Sequence, residues 1–82
     1  MSAMGQLLDD FLRETVGAWA RARILEFAES EDGYLAIDGN VYGADLYRAE
    51  QVAILWDDLE PAREERVPLE VLVRRVRELP GP

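Results

Sequence analysis

Three kinds of side chain are missing from this 82-residue sequence: it has no cysteine, no histidine and no lysine, so all nine of its cations are arginines. Each absence closes a class of chemistry. Without Cys and His there is no thiolate nucleophile, no Ser/His or Cys/His pair, and no zinc site of the usual N/S ligands. Without Lys there is no Schiff base. The remaining hydroxyls besides tyrosine are Ser2, Thr15 and Ser30, none with a base that the sequence places beside it. No disulfide can form, which fits a reducing compartment. No apolar run approaches the 18 or so residues of a membrane span, and the N-terminus lacks the basic-then-apolar layout of a secretory leader. The expectation is a non-enzymatic, cytoplasmic protein with no cofactor and no metal.

What remains is acidic and apolar. Seventeen carboxylates against nine arginines give a net charge of −8, with 49% hydrophobic residues. The charge is uneven: −2 over residues 1–30, −7 over 31–62 and +1 over 63–82. An acidic middle repels nucleic acid and membrane surfaces and suits a basic protein surface. A chain of this length makes one domain, 1–82, with a thin core, so a partner or homo-oligomerisation is expected to help it.

The organising stretch is Glu29–Ala44, punctuated by Gly33, Gly39 and Gly43. Asp38-Gly39 between Tyr34–Ile37 and Asn40–Tyr42 is a strong hairpin signal, because a type I′ turn needs positive φ at both central residues. A two-residue loop there sets Ile37 against Asn40, Ala36 against Val41 and Leu35 against Tyr42. Arg23–Ala28 supplies a further strand, giving an antiparallel meander over about 22–42. Asp38, Asn40 and Gly43 also match positions 1, 3 and 6 of a calcium loop, but Tyr42 and Ala49 stand where ligands are required, at positions 5 and 12, and Asp45 stands at the usually apolar position 8.

Before this stretch, residues 3–20 read as an amphipathic helix with Leu8, Phe11, Leu12, Val16 and Trp19 on one face. Ile24, Leu25 and Phe27 do not continue that stripe, which favours the strand there; one long helix to about Ala28 is the alternative. After it, Ala44–Glu60 is rich in helix formers and stops at Pro61. On that helix Tyr47, Glu50, Gln51, Ile54, Asp57 and Asp58 share one face at helical spacing. The competing reading is that Ile54 is covered, or that Val52–Trp56 is a short buried strand. A last helix opens at Val67-Pro68 and runs to Leu79, with the stripe Leu69, Leu72, Val73, Val76 and Leu79.

The sequence therefore predicts an α+β fold: an N-terminal amphipathic helix, a small antiparallel β-meander (about 22–42) and two C-terminal helices (about 44–60 and 68–79), packed through Trp19, Trp56 and the last stripe. The expected function is a protein–protein interaction module or small accessory subunit. Its partner would be another protein with a basic surface, held by Tyr47 and Ile54 within a collar of Glu50, Gln51, Asp57 and Asp58. The alternative is an acidic inhibitor or nucleic-acid mimic that fills a basic nucleic-acid-binding groove. Gly43-Ala44-Asp45-Leu46 resembles the G-x-D-S-L motif that opens the second helix of acyl carrier proteins. Leu46 follows Asp45 directly, so the serine that would carry the phosphopantetheine arm is missing and no carrier function follows.

Overall fold

The structure is a computed structural model and describes residues 6–39, 41–60 and 62–79. Its elements run α1 (Gln6–Glu14), α2 (Ala18–Glu29), β1 (Tyr34–Ile37), β2 (Tyr42–Tyr47), β3 (Val52–Asp57), β4 (Glu64–Pro68) and α3 (Leu69–Glu78). The strands form one antiparallel meander in sequence order, β1-β2-β3-β4. The helices cover one of its faces, so the fold is α+β with N-terminal helices, a meander and a C-terminal helix.

The N-terminal helix is two helices. α1 buries Leu7, Leu8, Phe11 and Leu12 along one stripe. The Glu65 carboxylate of β4 accepts from the Leu8 N–H at 3.1 Å, capping a helix start with negative charge where the dipole favours it. The helix closes where the Phe11 carbonyl accepts from both Thr15 N–H (2.9 Å) and Val16 N–H (3.2 Å). Gly17 is extended and becomes the N-cap of α2, its carbonyl taking the Arg21 N–H at 2.9 Å.

This break resets the helical phase. Ala20, Ile24 and Phe27 line up at i, i+4 and i+7 on α2's own axis and are all buried. Residues 23–28, expected as a strand because they fell out of phase with the first stripe, are therefore helical. Trp19, expected in the core, is 63% exposed.

The hairpin at Asp38-Gly39 also departs from expectation. Ile37 pairs with Ala44, Ala36 with Asp45, Leu35 with Leu46 and Tyr34 with Tyr47, so residues 38–43 lie between the first paired positions. The two-residue turn would have put Asn40 against Ile37 on the helix-facing side; the observed register puts Ala44 and Leu46 there instead, both fully buried. The loop is held down by the Thr15 hydroxyl, which donates to the Tyr42 carbonyl at 2.9 Å.

The predicted helix over 44–60 is not a helix. It is β2, a turn at Arg48–Gln51 and β3, with Ala44, Leu46, Ala53, Leu55 and Asp57 alternating onto the helix-covered face. Gln51 takes φ 54°, and its N–H donates to the Arg48 carbonyl at 3.1 Å. Val52–Trp56 is accordingly strand, as the competing reading had it, and Pro61, read as a helix stop, lies outside the described residues. The last helix forms as expected, burying Leu69, Leu72, Val73 and Val76. The core unites these with the α1, α2 and strand residues, and Leu79 packs half-buried at its edge. Among the described residues no helix is long and apolar enough to cross a membrane.

Candidate protein-binding face

Period-two alternation gives the sheet a second face that none of the described helices covers. It carries Tyr34 and Ala36 from β1, Gly43, Asp45 and Tyr47 from β2, Val52, Ile54 and Trp56 from β3, and Glu64 and Arg66 from β4. Register makes the neighbours. Tyr47 lies between Tyr34 and Val52, Ile54 between Asp45 and Arg66, and Trp56 between Gly43 and Glu64.

Three contacts shape this face. The Tyr34 and Tyr47 rings meet with centroids 5.3 Å apart at 43°. The Tyr34 hydroxyl donates to Asp45 Oδ1 at 2.7 Å. That hydrogen bond, with burial and the charge of Asp45 behind it, pushes the phenol up to about 12. The Trp56 indole packs against Gly43, where any β-carbon would run into the ring. Beside these, Tyr47, Glu50, Val52, Ile54 and Arg66 line a shallow open groove of about 300 Å³.

Of the residues expected to form a binding face, the structure brings Tyr47, Ile54 and Glu50 together on this groove. They were placed by helical spacing, and a β-hairpin keeps them together for a different reason. Tyr47 pairs with Val52 and Asp45 with Ile54, so Tyr47 and Ile54 are diagonal neighbours across one pair of strands. The other three go elsewhere. Gln51 serves the turn, its side-chain amide donating to the Arg48 carbonyl at 2.7 Å and its own carbonyl accepting from Leu69 N–H. Asp58 is exposed beyond the end of β3, and its N–H donates to the Val41 carbonyl at 2.6 Å.

Asp57 is a structural residue. It points to the helix-covered side, is 6% exposed, and accepts from Arg63 Nη1 at 3.0 Å and from Leu59 N–H at 2.9 Å. Arg63 also reaches Asp10 of α1 at 3.0 Å, so one guanidinium joins α1, the end of β3 and the β3–β4 loop. The hydrogen bonds Arg63 donates to Asp10 and then to Asp57 hold it protonated more firmly than usual. In turn Arg63, with Arg13 beside it, holds the Asp10 carboxyl below its ordinary value.

Tyr34, Val52 and Arg66 belong to the face and were not expected there, and Trp56, expected to pack in the core, lies on this outward face instead. No apolar/polar alternation marked Tyr34, Val52 and Trp56, because in Tyr34–Ile37 and Val52–Trp56 the buried and the outward positions are both apolar. The resemblance of Gly43–Leu46 to a helix-opening motif ends here, since those residues form the middle of β2. The calcium-loop positions are dispersed likewise, with Asp38 in a loop, Gly43 under Trp56 and Asn40 outside the described residues. No family model matches the chain, nor does any curated protein or solved structure.

Proposed function

We propose that the protein is a non-catalytic interaction module, and that its open sheet face binds a partner protein with a basic surface. The observation that carries this reading is the continuous run Tyr34, Tyr47, Val52, Ile54 and Trp56 on a face that the three helices leave uncovered. Aromatic and aliphatic anchors of this kind, ringed by polar groups, are how binding energy is concentrated at protein interfaces. The ring here is mostly negative. Asp45, Glu50 and Glu64 border the face, Glu31 and Asp32 precede β1, Asp38 follows it, and Asp58 and Glu60 follow β3. Against them stand Arg66 and Arg48. Arg48 is already engaged, its guanidinium stacked 4.4 Å from the Phe27 ring centre and donating to the carbonyls of Asp32 and Phe27. Such a collar repels nucleic acid and anionic membranes and attracts arginine- and lysine-bearing protein. The cysteine-free sequence suits work in a reducing compartment such as the cytoplasm.

Ile54→Asp tests the reading. Ile54 is only half-buried and faces away from the helices, so the variant is expected to keep the wild-type circular dichroism and cooperative unfolding while losing partners captured by the native protein. Unfolding of the variant, or capture unchanged by it, would remove the face from the binding reaction.

A further inference from the structure

The two edges of the sheet are built differently, and the difference points to how a partner is held. In an antiparallel ladder, alternate residues turn both their N–H and C=O outward. The Arg48 N–H donates to the Gly33 carbonyl at 3.0 Å, which makes Gly33/Arg48 a hydrogen-bonded pair. By alternation Leu35/Leu46 and Ile37/Ala44 are hydrogen-bonded pairs too, so the N–H and C=O of Tyr34 and Ala36 turn away from β2. β1 is an edge strand, both residues are exposed, and no described residue bonds those four groups. The same reasoning at the other edge starts from Asp57 N–H and the Arg63 carbonyl, and turns Glu64, Arg66 and Pro68 outward on β4. That edge is defended by two charged side chains and a proline without an N–H, the usual means of stopping a further strand from adding. The strand sequence of β1, Tyr-Leu-Ala-Ile, has none of these defences.

We infer that the outer edge of β1 takes an extended segment of the partner as a fifth strand. This rests on the interaction-module reading and names how the partner engages it. Charge chooses the occupant. Glu31 and Asp32 lie before β1 and Asp38 after it. A second copy paired antiparallel so as to use all four groups sets Tyr34 against Ala36, and therefore Asp38 against Asp32, twice over. Like charges directly opposite destabilise a pair. A segment with basic residues flanking its strand finds carboxylates at both ends instead. At the Ile37 end a groove of about 380 Å³ is lined by Glu14, Thr15, Trp19, Asp38, Gly39 and Val41. Trp19 stands 63% exposed beside it. An indole face with carboxylates nearby suits an ammonium or guanidinium group, although Glu14 also holds Arg13 at 3.1 Å. The segment's flanking basic side chain lies in this groove.

The probe is a short capped peptide of alternating threonine and valine with an arginine at each end, added to the 82-residue chain. Binding is expected to protect the Tyr34 and Ala36 amides from hydrogen exchange and to change Trp19 emission. Methylating alternate backbone nitrogens of the peptide is expected to abolish it. Ala36→Pro fixes φ and removes an N–H to which no described residue bonds, a change an edge strand tolerates, and is expected to weaken binding at least about tenfold while Ala36→Thr does not. No binding at millimolar peptide, equal binding by Ala36→Pro, or equal binding of the methylated peptide would each overturn the inference. So would a free protein that sediments as a dimer with those two amides already protected. Loss of native partners in Ile54→Asp but not in Ala36→Pro would overturn the edge and leave the face standing.

Discussion

Tyr34 shows how much a single side chain does at the open face. It is 52% exposed, yet its hydroxyl is committed to Asp45 and its ring to Tyr47. The phenol is raised from its ordinary 10.0 to about 12. Because the folded value lies above the unfolded one, the contribution of this contact is complete below pH 10 and disappears as pH rises through 12. The ultraviolet absorbance of tyrosinate, as the difference between wild type and Tyr34→Phe, is therefore expected to titrate near 12. In Asp45→Asn the same difference should move back toward 10. Titration at the ordinary value in both proteins would mean that the hydroxyl does not hold Asp45. Residue-scale partnerships of this kind are the least legible in a sequence. Asp57 reads as one more carboxylate on an acidic surface, but its partners are Arg63 and, through that arginine, Asp10, 53 positions from Arg63. Nothing local marks either.

At the scale of elements, α3 is legible because all the information lies within one helix, in an apolar stripe with polar residues opposite. The hairpin of β2 and β3 is not legible, for a reason tied to its use. A half-buried strand announces itself by alternation of apolar and polar residues. In β3 the buried Ala53 and Leu55 alternate with Val52, Ile54 and Trp56, which are apolar too. An apolar outer face erases the pattern, and the surrounding helix formers then tip the reading to helix. The property that misleads is the one the proposed function needs. Across this hairpin, Gly43 and Trp56 pair so closely that the indole occupies the space of a side chain on β2. Gly43→Ala must push the ring off the strand, at a cost of about 1–3 kcal/mol by analogy with overpacked cores. Urea unfolding reads the loss. In a Trp19→Phe background, Trp56 emission should shift to the red and become easier to quench. Wild-type stability and emission would show that the ring does not lie over Gly43.

Across the whole molecule the charges are sorted. Of the arginines in ion pairs, Arg13, Arg23 and Arg75 meet carboxylates on the helices and Arg63 closes the α1–β3 network. The surplus of −7 over residues 31–62 belongs to β1, β2, β3 and their loops. An apolar patch with a charged surround divides the work of binding. The surround draws the partner in over a distance set by screening, and the patch sets how long it stays. Between about 50 and 500 mM salt, over which the Debye length falls severalfold, the association rate with a captured partner is expected to drop by about tenfold or more. The dissociation rate is expected to change little, because contacts made by Tyr47, Ile54 and Trp56 are not screened. Stopped-flow or surface-binding kinetics on the native partner separate the two. A nucleic-acid mimic behaves otherwise: its affinity comes from carboxylates standing where phosphates would lie, so dissociation accelerates with salt as association slows. Rates that both move steeply would assign the acidic middle to mimicry and leave the aromatic face without a role in binding.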